Sequence, residues 1–253
     1  MSIQNQLAVL FEGSGEISEY QALAQRLNIF LRRSTEPNSE TFFLTWRDGE
    51  LKLLDKELLK KGGMSVDIAP RNGEQRSYPA PKEGALAQAI GRKTTTVIDA
   101  TTGWAQDSLC LFRMGYEVSC IERSPIMTEL LTDAFARLAC ESWMQKLQLA
   151  PPILIPGNAI ELLQTLEFSP DCIYLDPMFP PKRKKSALSK KSMTILQKLV
   201  GEDLDKTTLF ETALAVTSKR VVVKSPHYAE PLGGKPSESF SSKLLRYDVY
   251  IKN

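Results

Sequence analysis

Histidine is nearly missing from this chain: His227 is the only one in 253 residues. That excludes a multi-histidine metal site, and no metal is expected; a Ser-His-Asp triad would have to run through that single residue. Cysteine is sparse. Cys110, Cys120, Cys140 and Cys172 stand 10, 20 and 32 positions apart, with no C-x-x-C pair. A disulfide-stapled mini-protein is excluded, and the scatter suits reduced core thiols in a cytoplasmic protein. No apolar run approaches the roughly 18 residues that a membrane span needs. The first basic residue is Arg26, so the charged start of a secretory signal is not expected either. Internal repeats and low-complexity tracts are absent.

What remains is globular in character. Apolar residues make up 42% and charged residues 25%, close to the averages for soluble domains. The length is enough to bury a sizeable core without staples, as one large domain or a full domain with a small companion. Net charge is only +2 but unevenly spread. Lys182 to Lys191 reads KRKKSALSKK, six basic residues without an acid; the rest of the chain carries 26 basic against 30 acidic residues. Such a run is commonly a solvated face, and its position next to a candidate pocket makes it a nucleic-acid contact instead.

Residues 1–80 read as a small α+β subdomain. Leu7 to Phe11 is a short apolar run, and Glu19 to Leu31 has helical spacing. Thr41 to Trp46 and Glu50 to Leu54 flank Arg47-Asp48-Gly49, a hairpin signal because glycine supplies the positive φ of a tight turn. Arg71 to Glu83, polar and rich in Gly and Pro, is the expected linker. From residue 84 to 253 short β-branched strands alternate with helices: Thr96–Ala100, a helix from Asp107 to Met114, Glu117–Ile121, and a helix from Ser124-Pro125 to about Leu138. Ile153–Ile155, Cys172–Leu175 and Val221–Val223 are further strands expected to be buried, and Leu244–Ile251 is expected to add edge strands. Continuous apolar strands alternating with helices mean a doubly wound α/β domain with a parallel sheet.

Ligands of such sheets sit at the carboxyl ends of the strands. Asp99 to Gly103 ends the first strand there and opens a helix; Glu122 ends the second, at the spacing where a carboxylate reaches a ribose; Gly157-Asn158-Ala159 follows the third, where an adenine edge can be read. The G-x-G-x-x-G cradle is missing, because the turn reads Gly103-Trp104-Ala105-Gln106-Asp107. Asp107 at the helix start repels phosphate and favours an ammonium or sulfonium, so S-adenosylmethionine suits the turn better than NAD. After the fourth strand stands Asp176-Pro177-Met178-Phe179-Pro180. The Asp176 carboxylate and the Pro177 carbonyl can accept both N–H groups of an exocyclic amine, while Phe179 stacks on the base. Lys182, Arg183, Lys184, Lys185, Lys190 and Lys191 follow directly, where the phosphates flanking a flipped or single-stranded base would pass.

Asp99-Ala-Thr-Thr-Gly103, Glu122-Arg-Ser-Pro125, Tyr174-Leu-Asp-Pro-Met-Phe-Pro180 with Lys185-Ser-Ala-Leu-Ser-Lys-Lys-Ser-Met193, Arg220-Val-Val-Val-Lys224 and Arg246-Tyr-Asp-Val-Tyr250 together resemble the bacterial 16S ribosomal RNA (guanine(1516)-N(2))-methyltransferase family. The resemblance covers about residues 84–251 and more loosely the N-terminal unit. It implies a class I S-adenosylmethionine-dependent methyltransferase fold, a Rossmann-like doubly wound sheet, and N2-methylation of one guanine in the 16S rRNA of the 30S subunit by a cytoplasmic monomer without a membrane partner. By position it implies cofactor contacts at Gln106, Asp107, Glu122, Arg123, Asn158, Ala159 and Asp176. Ala105 stands where the family has a second glycine and Gln106 where it has a basic residue, two departures that bear on cofactor affinity. Residues 1–80 are expected to widen the RNA contact surface. Read without the resemblance, the pocket equally serves adenine N6 or another guanine, in DNA or 23S rRNA; a nucleotide-binding oxidoreductase and an inactive RNA-binding module are the other readings. His227 is given no catalytic role.

Overall fold

The computed structural model describes residues 6–13, 15–33, 40–55, 62–70, 78–179 and 205–252. Two sheets organise them. The first takes β1 (Leu7–Phe11), β2 (Phe30–Arg33), β3 (Phe42–Arg47) and β4 (Glu50–Asp55) in the order β2-β1-β3-β4. Helix α1 (Ile17–Leu27) connects β1 to its parallel neighbour β2. The apolar spacing that predicted a helix through Leu31 carries it only to Leu27. Asn28 there adopts a left-handed conformation (φ 51°) and its N–H caps Ala24 and Gln25, after which Phe30 and Leu31 enter β2. Asparagine is one of the few residues that take this conformation readily. The β3–β4 hairpin turns at Asp48 (φ 54°) and Gly49 (φ 74°), both positive as the expected tight turn requires.

The second sheet has seven strands: β5 (Thr96–Asp99), β6 (Glu117–Glu122), β7 (Ile153–Pro156), β8 (Cys172–Leu175), β9 (Arg220–Pro226), β10 (Glu238–Ser241) and β11 (Leu245–Ile251). Their order is β10-β11-β9-β8-β5-β6-β7, with β5 to β9 parallel and β11 antiparallel to both its neighbours. Helices α2 (Gly84–Ile90), α3 (Gln106–Arg113), α4 (Pro125–Ala139), α5 (Ser142–Lys146), α6 (Ala159–Gln164) and α7 (Lys206–Val216) connect or flank the strands. Alternation along the strands separates two cores. Val97, Cys120, Tyr174 and Val222 face the helices α2 to α4, whereas Ile98, Ile121, Ile173 and Val221 face α6 and α7.

Two edge assignments come out differently from the sequence. Ile153 is 64% exposed, because among the described residues β7 is the outermost strand and pairs with β6 alone. Strand β11, expected at the edge, lies between β9 and β10, and β10 is the rim.

The small sheet joins the core on the α2–α4 side: Leu7, Phe43 and Leu53 belong to the same buried cluster as Leu130 and Leu131 of α4. Arg26 forms a bidentate ion pair with Glu129 (2.8 Å), and Arg137 donates to the Val66 carbonyl (3.0 Å). Among the described residues no helix is long and apolar enough to cross a membrane.

Candidate active site at the strand switch point

The order of the large sheet reverses between β5 and β8. Their carboxyl ends, with those of β6 and β7, open a crevice there. A cleft of about 670 Å³, counting the open space at its mouth, occupies it.

The floor is a turn locked by buried carboxylates. Asp99, at the end of β5, is 2% exposed; it accepts the Thr101 N–H (3.0 Å) and the Ser108 hydroxyl. Burial pushes its pKa up to about 7, against the lowering effect of those bonds. Thr101 in turn accepts the N–H of Asp176 through its hydroxyl (2.6 Å), so the ends of β5 and β8 are stitched together. Glu122, at the end of β6, is also buried. One carboxylate oxygen accepts the Gly103 N–H (2.9 Å) and the other the Ser124 N–H (2.8 Å). Ser124 then caps α4 by accepting the Met127 N–H, and Pro125 fills the first helical position, as the Ser-Pro pair predicted. Asn158 caps α6 by accepting the Ile160 N–H (3.0 Å).

Of the residues singled out in the sequence, the structure brings Gly103, Glu122, Arg123, Asn158, Ala159, Asp176 and Pro177 to the wall of this cleft. Asp99, Gln106, Asp107 and Phe179 are not among its lining residues. Asp99 lies beneath the turn and Gln106 is exposed. Phe179 stands half-buried at the mouth, with the ammonium of Lys206, a lining residue, 4.9 Å from its ring centre. Asp107 points inward: one oxygen accepts both the Tyr174 hydroxyl (2.7 Å) and the Lys224 ammonium (2.6 Å). Lys182, Arg183, Lys184, Lys185, Lys190 and Lys191 lie outside the described residues. His227 meets the Ser242 carbonyl at 2.9 Å and is exposed.

Lys224 closes the Arg220–Lys224 string of the resemblance but carries no role in the sequence reading. It follows the fully buried Val221–Val223 within β9 and reaches Asp176 at 2.8 Å as well as Asp107. Burial works to lower its pKa, but the two carboxylates outweigh that and raise it, so the side chain is a permanent cation. A lysine at the end of a buried valine run was the available signal, since a charge there needs partners. Asp205, Lys206 and Leu209, which bring the start of α7 to the cleft, carried no such mark.

The residues fit an adenosyl sulfonium ligand. Ile121, Ala159, Ile160 and Leu209 give apolar walls, and Glu122 and Asp176 supply carboxylates for ribose hydroxyls and for positive charge.

Comparison with known proteins decides the family. A family described as "Putative SAM-dependent methyltransferase" matches residues 22–252. The ribosomal RNA small subunit methyltransferase J of Tolumonas auensis is 39% identical over 237 residues, 90% of this chain and 93% of that protein. The chain belongs to this methyltransferase family. The same-named protein of Photobacterium profundum is 37% identical over 98% of both chains. The crystal structure of a SAM-dependent methyltransferase from Neisseria gonorrhoeae superposes with a TM-score of 0.68 at 27% identity, over 97% of this chain and 96% of that one. The fold is therefore the Rossmann-like class I methyltransferase arrangement, and S-adenosylmethionine is the cofactor that family and fold imply.

Proposed function

We propose that this protein transfers a methyl group from S-adenosylmethionine to the exocyclic N2 of guanine 1516 in the 16S rRNA of the small ribosomal subunit, in the cytoplasm. The observation that carries the reading is the position of Asp176-Pro177. The pair leaves β8 at the switch point, lines the cleft, and has its carboxylate held by Lys224. The names of the relatives supply the rRNA and the subunit; the resemblance of the Asp-Pro-Met-Phe-Pro string supplies the base and the atom.

When bound, the cofactor supplies an electrophilic methyl on a sulfonium. Gly103, Glu122, Arg123, Asn158 and Ala159 are the residues proposed to hold it, with Asp99, Gln106 and Asp107 behind or beside them. Asp176 and the Pro177 carbonyl accept the two N–H bonds of the amine and aim its lone pair. That is catalysis by positioning, in which alignment supplies most of the rate. The proton shed as the amine is methylated passes to the Asp176 carboxylate and on to water, to which that side chain is 41% open. Phe179 stacks on the extruded base, and the basic residues 182–185, 190 and 191 meet the flanking phosphates. Residues 1–80 and 84–253 act as two subdomains on one shared core, the first widening the RNA surface.

The test is transfer of labelled methyl to 30S subunits lacking the modification, with the product mapped by nucleotide. Label on N2 of guanine 1516 is expected; label on an adenine, another guanine, DNA or 23S rRNA would replace the acceptor. Asp176→Ala is expected to lose at least about 100-fold in turnover with folding intact. Near-full activity in that variant would mean other groups hold the amine.

A further inference from the structure

We propose that Lys224 is a positioning residue for methyl transfer, a half-buried ammonium that sets the Asp176 carboxylate and couples it to Asp107 at the start of α3. The inference rests on the reading of Asp176 as the holder of the target amine. It goes beyond that reading by naming what holds Asp176.

The geometry is a chain of four side chains. The Tyr174 hydroxyl donates to Asp107 (2.7 Å), and Lys224 donates to Asp107 (2.6 Å) and to Asp176 (2.8 Å). Tyr174 and Asp176 are two residues apart, so the loop carrying the amine acceptor is tied back to its own strand through α3 and β9. Tyr174 is fully buried, which pushes its hydroxyl pKa well up and keeps it a donor. Lys224 itself is poorly suited to act as a base, because both carboxylates hold its proton. Its effect is steric and electrostatic: a partly exposed aspartate has several rotamers, and an ammonium inside the protein selects one. A lysine needing only a structural counter-ion would be satisfied by Asp107 alone. Here it also contacts the one carboxylate of the network that lines the cleft.

The titratable groups facing Lys224 are Asp107 on α3, Asp176 at the exit of β8 and Tyr247 on β11, with the Tyr174 hydroxyl on the same Asp107 oxygen. With Lys224 replaced by methionine, Asp107 and Asp176 face each other without the cation that now bridges them, and their repulsion moves Asp176 out of the position in which Lys224 holds it. A displaced Asp176 no longer accepts its amine proton beside the Pro177 carbonyl. Turnover then falls while the cofactor still binds.

The experiment compares wild type, Lys224→Met, Lys224→Met with Asp107→Asn, and Asp176→Ala on undermethylated 30S subunits, with cofactor affinity by calorimetry and folding by circular dichroism. Lys224→Met is expected to bind S-adenosylmethionine within about threefold of wild type, since Lys224 does not line the cleft, and to lose about 100-fold in kcat at neutral pH. Adding Asp107→Asn removes the like charge and is expected to recover part of the loss. If Lys224→Met keeps kcat within about threefold while Asp176→Ala is inactive, the role of Lys224 is overturned and the function stands. If Asp176→Ala is active, the underlying reading fails first. Should Lys224→Met not fold, Asp107→Asn alone reads the coupling from its other end: about tenfold lower kcat at unchanged cofactor affinity supports it, and an unchanged kcat overturns it.

Discussion

Replacing Glu122 by glutamine keeps the shape of the side chain but exchanges one of two acceptor oxygens for an amide donor. In the protein both oxygens are engaged, one by the Gly103 N–H at 2.9 Å and one by the Ser124 N–H at 2.8 Å, in a side chain that is buried. Glutamine satisfies one of these N–H groups and turns an NH2 toward the other. The cost is one charge-assisted bond and one buried donor left unpaired, together about 2 kcal/mol. For a chain of this size that corresponds to a fall of about 4–8 °C in Tm. The damage falls on the two turns that frame the cofactor side of the cleft, so affinity for S-adenosylmethionine is expected to drop as well, by about 10- to 100-fold. Thermal unfolding by circular dichroism measures the first quantity and titration calorimetry the second. An unchanged Tm with unchanged affinity would refute the reasoning. A lowered Tm with full affinity would show that Glu122 holds the turns without meeting the ligand.

Three further outcomes follow. Asp99, whose folded pKa is raised to about 7 from an unfolded value near 4, binds more protons folded than unfolded between those values. Its contribution is therefore fully present below pH 4 and is lost as pH climbs to 7, with a slope of up to about 1.4 kcal/mol per unit; denaturant titrations across pH 4–7 should show this slope flattened in Asp99→Asn. Ala105 is fully buried with a left-handed backbone (φ 54°), so Ala105→Val adds a β-branched side chain to a strained, closed position and is expected to cost about 2–4 kcal/mol in chemical denaturation. Ala105→Gly relieves about 1 kcal/mol of that strain and gives up a methyl of similar worth, leaving stability within about 1 kcal/mol.

Much of the lining of the cleft was legible because it is local. A carboxylate closing a buried strand and followed by proline is visible at Asp176-Pro177 without any partner, and so are the ends of β5 and β6 at Asp99 and Glu122. The alternation of short apolar strands with helices likewise fixes a parallel sheet, since strands buried on both faces are apolar throughout. The order of the strands is not local. The exposed edge of β7 at Ile153 and the interior place of β11 depend on which strand pairs with which, and Ile153-Leu154-Ile155 is as apolar as any central strand. The end of α1 turned on one asparagine taking a left-handed conformation inside an otherwise continuous helical pattern.

Asp107 shows why a correct chemical preference can lead to a different partner. A carboxylate at the first turn of a helix repels phosphate and attracts a cation, and the sequence identifies no internal cation to answer it. The fold delivers one from 117 positions away, Lys224, because β9 and β8 are neighbours and the end of β9 comes to rest beside the start of α3. The ammonium that answers Asp107 is thus part of the protein, and it brings Asp176 with it. The charge of the cluster is divided accordingly: Asp107 is 11% exposed and held by Lys224 and Tyr174, whereas Asp176 keeps 41% of its side chain open at the cleft. Of the two carboxylates on Lys224, Asp176 is thus the one placed to meet what enters. Neutralising Asp107 should therefore act on turnover through Lys224, leaving the binding of a cationic ligand largely unchanged.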